Sequence, residues 1–243
     1  MKLAVISDVH ANLEALTAVM RDIEKQKVER IFFLGDAVGY GADPNKCVKI
    51  INSMCEIKLL GNHDYVAMGL ESSRHFNPMA QKSIQWTQDE LSSKTIEMLS
   101  DFEMESTFLD YHLVHSTPDN PTEWNYILTP EEALHNFDYF SQNYCIIGHS
   151  HLPSVFSLTP DKTVKMAEGN DSFTADKENR YIINTGSVGQ PRDGNKDACY
   201  LIIETDSETF EFIRVAYDLE TAQKKMQKAQ LPEYLITRLA NGK

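Results

Sequence analysis

Short apolar runs alternate with helix-patterned stretches through the first third of the chain. Leu3–Ser7 (LAVIS) reads as a buried strand. Asn12 can cap the helix after it, on which Leu13, Leu16, Met20 and Ile23 share one face. Ile31–Gly35 (IFFLG) is the next strand, and Asp43 before Pro44 opens a helix through about Ser53. Glu56–Leu60 (EIKLL) is a third strand. The strand–helix–strand–helix–strand order predicts parallel strands joined by right-handed crossovers.

The texture changes from Tyr65 to about Asp110. Asn77–Ser92 has helical spacing at Met79, Ile84, Leu91 and Trp86, and a second short helix follows. Ser106–Ser116 reads as strand and Thr129–Phe137 as a capped helix. Three more strands are expected at Cys145–Gly148, Tyr181–Asn184 and Ala198–Glu204, the last forming an antiparallel hairpin with Thr209–Tyr217. Residues 160–180 are polar and read as loop or weak hairpin, and the tail from Asp218 reads as helix. With no internal repeat or linker, the expectation is one domain over residues 1–243, with 65–110 and 116–143 as candidate cap insertions.

The places where the apolar runs stop carry the chemistry. The first stops at Asp8 and His10, the second at Asp36, the third at Gly61-Asn62-His63-Asp64. Two later runs stop at His115 and at His149 and His151. In open α/β sheets, ligands bind at the carboxyl ends of strands. A single Asp after a strand is ordinarily a turn or helix cap, and a single His ordinarily a satisfied polar residue. Together they ask for more, because imidazoles and carboxylates gathered at one rim need extensive pairing or a metal. His149 and His151, two apart, can face one way, either as a bonded pair or as part of a metal site, with Gly148 allowing close backbone approach. His112 lies three before His115 on a strand, faces the other side, and belongs to the core. Asp36, with two oxygens, can bridge two ions, and Asn62 offers a neutral amide oxygen. Mixed nitrogen and oxygen donors suit Mn, Fe, Zn, Ni or Co.

Composition narrows the partners. A formal charge of −13 argues against general nucleic-acid binding, although bound cations can reverse the local field for a small phosphorylated substrate. The cysteines (Cys47, Cys55, Cys145, Cys199) have no CxxC spacing and read as reduced core residues. The reduced cysteines point to a cytoplasmic location, and the opening apolar run is too short for a signal peptide or membrane span.

Asp8-Val-His10, Gly35-Asp36, Gly61-Asn62-His63-Asp64, His115 and Gly148-His149-Ser150-His151 resemble, in order and spacing, the signature of the calcineurin-like metallophosphoesterases. The GNHD and GHxH elements together are specific, whereas DxH alone is weak. Asn184–Gly194 (NTGSVGQPRDG) is similar to small prokaryotic members of the diadenosine-tetraphosphatase-like or phosphodiesterase-like branch. The resemblance implies an α/β fold, a four-layer αββα sandwich of two mixed β-sheets flanked by helices. It implies one metal on Asp8, His10, Asp36 and His151 and a second on Asp36, Asn62, His115 and His149. The cofactors would be two divalent transition-metal ions, manganese first, with Fe, Ni, Zn or Co as alternatives. A hydroxide held between them would attack phosphorus while His63 assists the departing oxygen, with Asp64 beside it as catalytic or orienting group.

One departure matters. Where protein phosphatases of this superfamily carry an Asp-Arg pair, this chain has Gly39 and Tyr40. Arg192 can supply the missing cation, and Tyr40 can stack on a base; a surface ion pair and simple packing are the plain alternatives. The expected substrate is a small phosphodiester or dinucleoside polyphosphate, possible as a nucleotide. The alternatives are a phosphomonoesterase or protein phosphatase of the same superfamily, a nuclease, or a non-catalytic scaffold. The oligomeric state is not legible.

Overall fold

Leu3 and Val5 alternate with Ala4 and Ile6, and all four are buried. A strand buried on both faces must lie between two layers. The chain, seen in a computed structural model that describes residues 1–169 and 172–243, builds those layers from two six-stranded mixed sheets.

The first sheet contains β1 (Lys2–Ile6), β2 (Arg30–Phe33), β3 (Ile57–Lys58), β9 (Phe173–Thr174), β11 (Ala198–Glu204) and β12 (Thr209–Val215), in the order β3-β2-β1-β11-β12-β9. β1, β2 and β3 are parallel, with Val5 opposite Phe32 and Phe33 opposite Lys58. β11 runs antiparallel to β1 and to β12. The second sheet contains β4 (Glu105–Phe108), β5 (Tyr111–Val114), β6 (Tyr144–Ile147), β7 (Ser154–Leu158), β8 (Val164–Glu168) and β10 (Arg180–Asn184), in the order β4-β5-β6-β10-β7-β8. β5, β6 and β10 are parallel.

Leu3, Val5, Phe32 and Leu34 meet Tyr111, Leu113, Ile146 and Ile183 between the sheets. Ala4, Ile6 and Phe33 face outward beneath α1 (Leu13–Lys25), α2 (Pro44–Met54) and α5 (Ser93–Ser100). Val114, Cys145 and Ile147 face outward beneath α6 (Pro130–Asn136). This is the helix–sheet–sheet–helix sandwich, and the four cysteines are unpaired and buried within it. Asn12 caps α1 by accepting from Ala15 N–H at 3.1 Å, and Thr129 and Glu132 form a capping box on α6. Among the described residues, no helix is long and apolar enough to cross a membrane.

Several elements differ from the sequence reading. The stretch 106–116 is a hairpin, not one strand: the chain turns at Leu109, whose φ is +50°, and Asp110. The third run pairs with β2 through Ile57 and Lys58, and Leu59, whose N–H still donates to Phe33 O at 2.9 Å, also bridges to Glu103. Ser154–Leu158, which the pattern missed, pairs with both β10 and β8. Residues 160–180 supply β8 to the second sheet and β9 to the first. Residues 65–110 hold the end of α3 (Asn62–Ala67), α4 (Pro78–Glu90) and α5, and the tail forms α7 (Leu219–Lys228) and α8 (Glu233–Arg238). Asp43 precedes α2 as expected, but its carboxylate binds Lys46 and Lys225 at 2.8 and 2.7 Å rather than the helix amides.

Candidate metal centre

The loops leaving β1, β2, β5 and β6 meet at one rim of the sandwich. Asp8 N–H donates to Gly35 O, His10 N–H to Asp36 O and Ala11 N–H to Ala37 O, each at 2.9 Å, so the first two loops are zipped together. His149 N–H donates to Asp8 Oδ2 at 3.1 Å, and Gly148 N–H to His115 O at 2.9 Å, which ties the second sheet's loops to the first. A Cβ on Gly148 would run into the Asp8 carboxylate, so only glycine permits this approach. Asp8, His10, Asp36, His149 and His151 all take left-handed backbone angles, with φ of 54, 48, 60, 67 and 61°. Such strained conformations persist where the surroundings over-determine them, and they cluster at functional sites.

The side chains gather in two groups sharing Asp36: Asp8, His10, Asp36 and His151 in one, Asp36, His115 and His149 in the other. All are buried. Asp36 Oδ2 lies 3.5 Å from both His10 Nε2 and His115 Nε2, midway between the groups. Asp8 Oδ1 lies 3.2 Å from His151 Nε2. The outer nitrogen of each of the four clustered histidines is occupied. His10 Nδ1 donates to Val38 O (3.0 Å), His115 Nδ1 to Leu34 O (2.7 Å), His149 Nε2 to Trp124 O (2.9 Å) and His151 Nδ1 to Gln190 O (2.6 Å). A carbonyl only accepts, so each inner nitrogen of a neutral ring carries a lone pair.

That arrangement makes a protein-only reading of the cluster costly. His10 Nε2 and His151 Nε2 face each other at 3.1 Å, two lone pairs that need a cation between them. Asp8 Oδ1, Asn62 Oδ1 and His115 Nε2 are buried with no hydrogen-bond partner. Buried polar atoms are normally satisfied, and orphans grouped at one point indicate a ligand that completes them. The donor set of imidazole, carboxylate and amide oxygen fits divalent transition ions. Burial holds His10, His149 and His151 below the ordinary imidazole range, His149 to about 3, so these rings are neutral and ready to ligate. Burial would lower His115 too, but the Asp36 charge outweighs it and raises that ring to about 9. Burial works against ionised Asp8 and Asp36, yet the histidines around them hold both carboxyls below the usual range.

The remaining candidates lie around this cluster. Asn62 opens α3, and its side chain borders a cavity of about 140 Å³ beside Asp36, His149 and His151. Tyr40, His63 and Arg192 border the same cavity. His63 N–H donates to Asp36 Oδ1 at 2.9 Å, and the ring packs 4.4 Å from Tyr40 and 4.6 Å from Phe76, centroid to centroid. Burial pushes His63 down to about 4. Asp64, grouped with His63 as a catalytic candidate, directs its carboxylate to the N–H groups of Ala37, Val38 and Gly61 at 3.2, 3.1 and 3.1 Å. It locks the Asp36 loop to the start of α3. Arg192 donates to Gln190 Oε1 at 3.0 Å, with its guanidinium 5.9 Å from the Tyr40 ring. His112 points away, stacked on Phe140 and 3.3 Å from Glu105. The NTGSVGQPRDG stretch runs under the rim: Asn184 Nδ2 donates to Ser150 Oγ (2.9 Å), and Ser187 Oγ to Asp8 O (2.9 Å).

Three aromatic contributions escaped the sequence reading. Phe76 borders the cavity from the 65–110 segment, and Tyr126 from the 116–143 segment lies flat on His149 at 4.2 Å and 10°. Trp124, from the same segment, supplies the carbonyl that orients His149. Nothing local in the sequence signals these contacts. Trp86, by contrast, packs partly buried beside Tyr40 and Ala80, as its helical spacing suggests.

Comparison with known proteins follows the same line. A family model described as the calcineurin-like phosphoesterase superfamily domain matches residues 1–208. An uncharacterized protein of Methanocaldococcus jannaschii is 38% identical over 245 residues, covering 99% of this chain and 98% of the relative. A metallophosphoesterase from Sphaerobacter thermophilus superposes with a TM-score of 0.88 at 39% identity, covering 100% of this chain and 99% of that one. A hypothetical protein from Pyrococcus horikoshii OT3 shares the fold, with a TM-score of 0.78 at 17% identity over 100% of this chain and 98% of the other.

Proposed function

The chain belongs to the calcineurin-like phosphoesterase superfamily and is a hydrolase of phosphoester bonds; from that premise we propose that it holds two divalent ions, manganese foremost, and cleaves a small phosphodiester or dinucleoside polyphosphate. The observation that carries the two-ion reading is Asp36 Oδ2, 3.5 Å from an inner nitrogen of each histidine group. The ions, when bound, polarise the phosphoryl oxygens and make water nucleophilic at neutral pH.

The chain's own residues do the rest. His10, His149 and His151 keep their lone pairs inward because carbonyls hold their other nitrogens, and His115, held the same way by Leu34 O, would release its Nε2 proton on ligating an ion. Arg192 borders the cavity with its Nε buried and unpartnered, and so offers a cation to a phosphate oxygen. His63, neutral through burial, carries one N–H at the cavity edge that can donate to the departing oxygen.

The cavity favours a small substrate. Its volume of about 140 Å³ and its walls of Tyr40, Phe76 and Tyr126 suit a phosphate bearing an aromatic or nucleoside group. Gly39 and Tyr40 replace the Asp-Arg pair of protein phosphatases, which weighs against a phosphoprotein substrate. The net charge of −13 weighs against a nucleic-acid polymer. The four unpaired cysteines fit a reducing compartment, and we place the protein in the cytoplasm.

The test is a panel assayed with Mn²⁺, Ni²⁺, Zn²⁺ and Mg²⁺: bis(p-nitrophenyl) phosphate, p-nitrophenyl phosphate and diadenosine tetraphosphate. Cleavage of the diester or the tetraphosphate with higher kcat/KM than the monoester is expected. Preference for the monoester transfers the assignment to a phosphomonoesterase, and no turnover with any ion overturns it.

A further inference from the structure

The segment around Pro121–Glu123 passes over the second group of ligands. It is a single tight turn flanked by two left-handed residues, Asn120 (φ +51°) and Trp124 (φ +53°). For a residue as bulky as tryptophan that conformation is a costly outlier, sustained only by strong local restraint. The restraints are visible. The Trp124 carbonyl accepts from His149 Nε2 at 2.9 Å. Its indole Nε1 donates to Glu71 Oε2 at 3.0 Å, and its ring lies 5.6 Å from Tyr65 and 6.2 Å from His115. Ser116 Oγ holds Pro121 O at 2.9 Å, and Tyr126 covers the His149 ring.

Glu71 and Tyr65 belong to one insertion and Trp124 to the other, so the indole joins the two across the site. The consequence falls on one histidine. His10, His115 and His151 are oriented by carbonyls of Val38, Leu34 and Gln190, close to the sheet framework. His149 alone among them takes its tautomer from the segment 120–124, a strap over the site. We infer that Trp124 and Glu71 are positioning residues: by pinning the strap they keep the His149 proton on Nε2 and Nδ1 free, and so set affinity for the ion held by Asp36, His115 and His149 without affecting the other. This rests on the two-ion reading proposed above.

The test compares wild type with Glu71→Ala and Glu71→Gln, all full-length. Mn²⁺ per chain is counted by elemental analysis after dialysis, and affinities are measured by calorimetric titration. Glu71 is a half-buried surface residue, and its removal spares the core. Wild type binds two ions. Glu71→Ala is expected to weaken one ion by about tenfold, the lower end for loss of a group that orients a ligand, and to leave the other unchanged. Glu71→Gln, whose amide oxygen still accepts from the indole, restores wild-type binding. Trp124→Phe, which deletes the indole N–H, repeats the Glu71→Ala result. Two equally weakened ions, or two unchanged ones, overturn the inference while the two-ion reading stands. Wild type binding fewer than two overturns that reading, and the inference with it.

Discussion

Gly39 offers a direct test of what His63 does. Its φ is +83°, and a Cβ built there would overlap Nδ1 and Cγ of the His63 ring. Gly39→Ala therefore adds one methyl that the backbone disfavours by about 1–2 kcal/mol and that the imidazole must vacate. For a chain of this size the backbone cost corresponds to a fall in Tm of roughly 2–8 °C. Displacing His63 removes its assistance to the leaving group, which is worth about 10²–10⁴ in rate. The expectation is a drop in kcat of that order on bis(p-nitrophenyl) phosphate, with Mn²⁺ content unchanged, because Gly39 lies in neither ligand group. His63→Ala should match it, and Gly39→Ala/His63→Ala should be no worse than His63→Ala alone, since both act through one ring. A folded, metal-loaded Gly39→Ala with wild-type kcat would refute the reasoning, as would losses that multiply in the double variant.

Three further outcomes follow from the geometry. Asp36→Asn removes the charge shared by both groups and should lower Mn²⁺ from two per chain to less than one by elemental analysis, with loss of turnover. Adding Mn²⁺ at about 100 times its Kd to chelator-stripped protein should stabilise it by about 2.7 kcal/mol per site, read as a rise in Tm, and a flat titration would deny the centre. Lys225→Met should cost about 1 kcal/mol in urea unfolding, because Lys225 binds Glu14 and Asp43 from a half-exposed position. Burial alone would raise Asp43, but hydrogen bonds from Lys225 and Lys46 hold it below the usual range. Its contribution is therefore complete above the ordinary carboxylate pKa of about 4 and fades as pH falls through the depressed folded value, so the variant and wild type should converge in acid.

The rim was legible because each apolar run ends abruptly in a residue that can ligate, and parallel strands put those ends together. The same logic separated His112 from His115 by strand parity. Ser154–Leu158 was missed because Pro153 precedes it and its two serines dilute the apolar signal, whereas its place is fixed by pairing on both sides. β9 contributes two residues to a sheet whose neighbours are distant in sequence. The hairpin within 106–116 depends on a left-handed Leu109, a conformation for which leucine gives no hint. Asp64 shows what a motif leaves open: beside His63 in the chain it reads as catalytic or orienting, and its oxygens accept from three amides, the arrangement of an orienting group. Trp124 and Tyr126 come to His149 through a turn that no local propensity encodes.

Asp8, His10 and Asp36 follow strands of the first sheet, while His115, His149 and His151 follow strands of the second. Both clusters therefore straddle the seam between the halves. Ions seated there act as rivets at one end of a sandwich whose other fastening is the apolar layer between the sheets. Chelation would unfasten that end first, so amide exchange and proteolytic nicking should begin at the rim loops while the middles of β1, β6 and β11 stay protected.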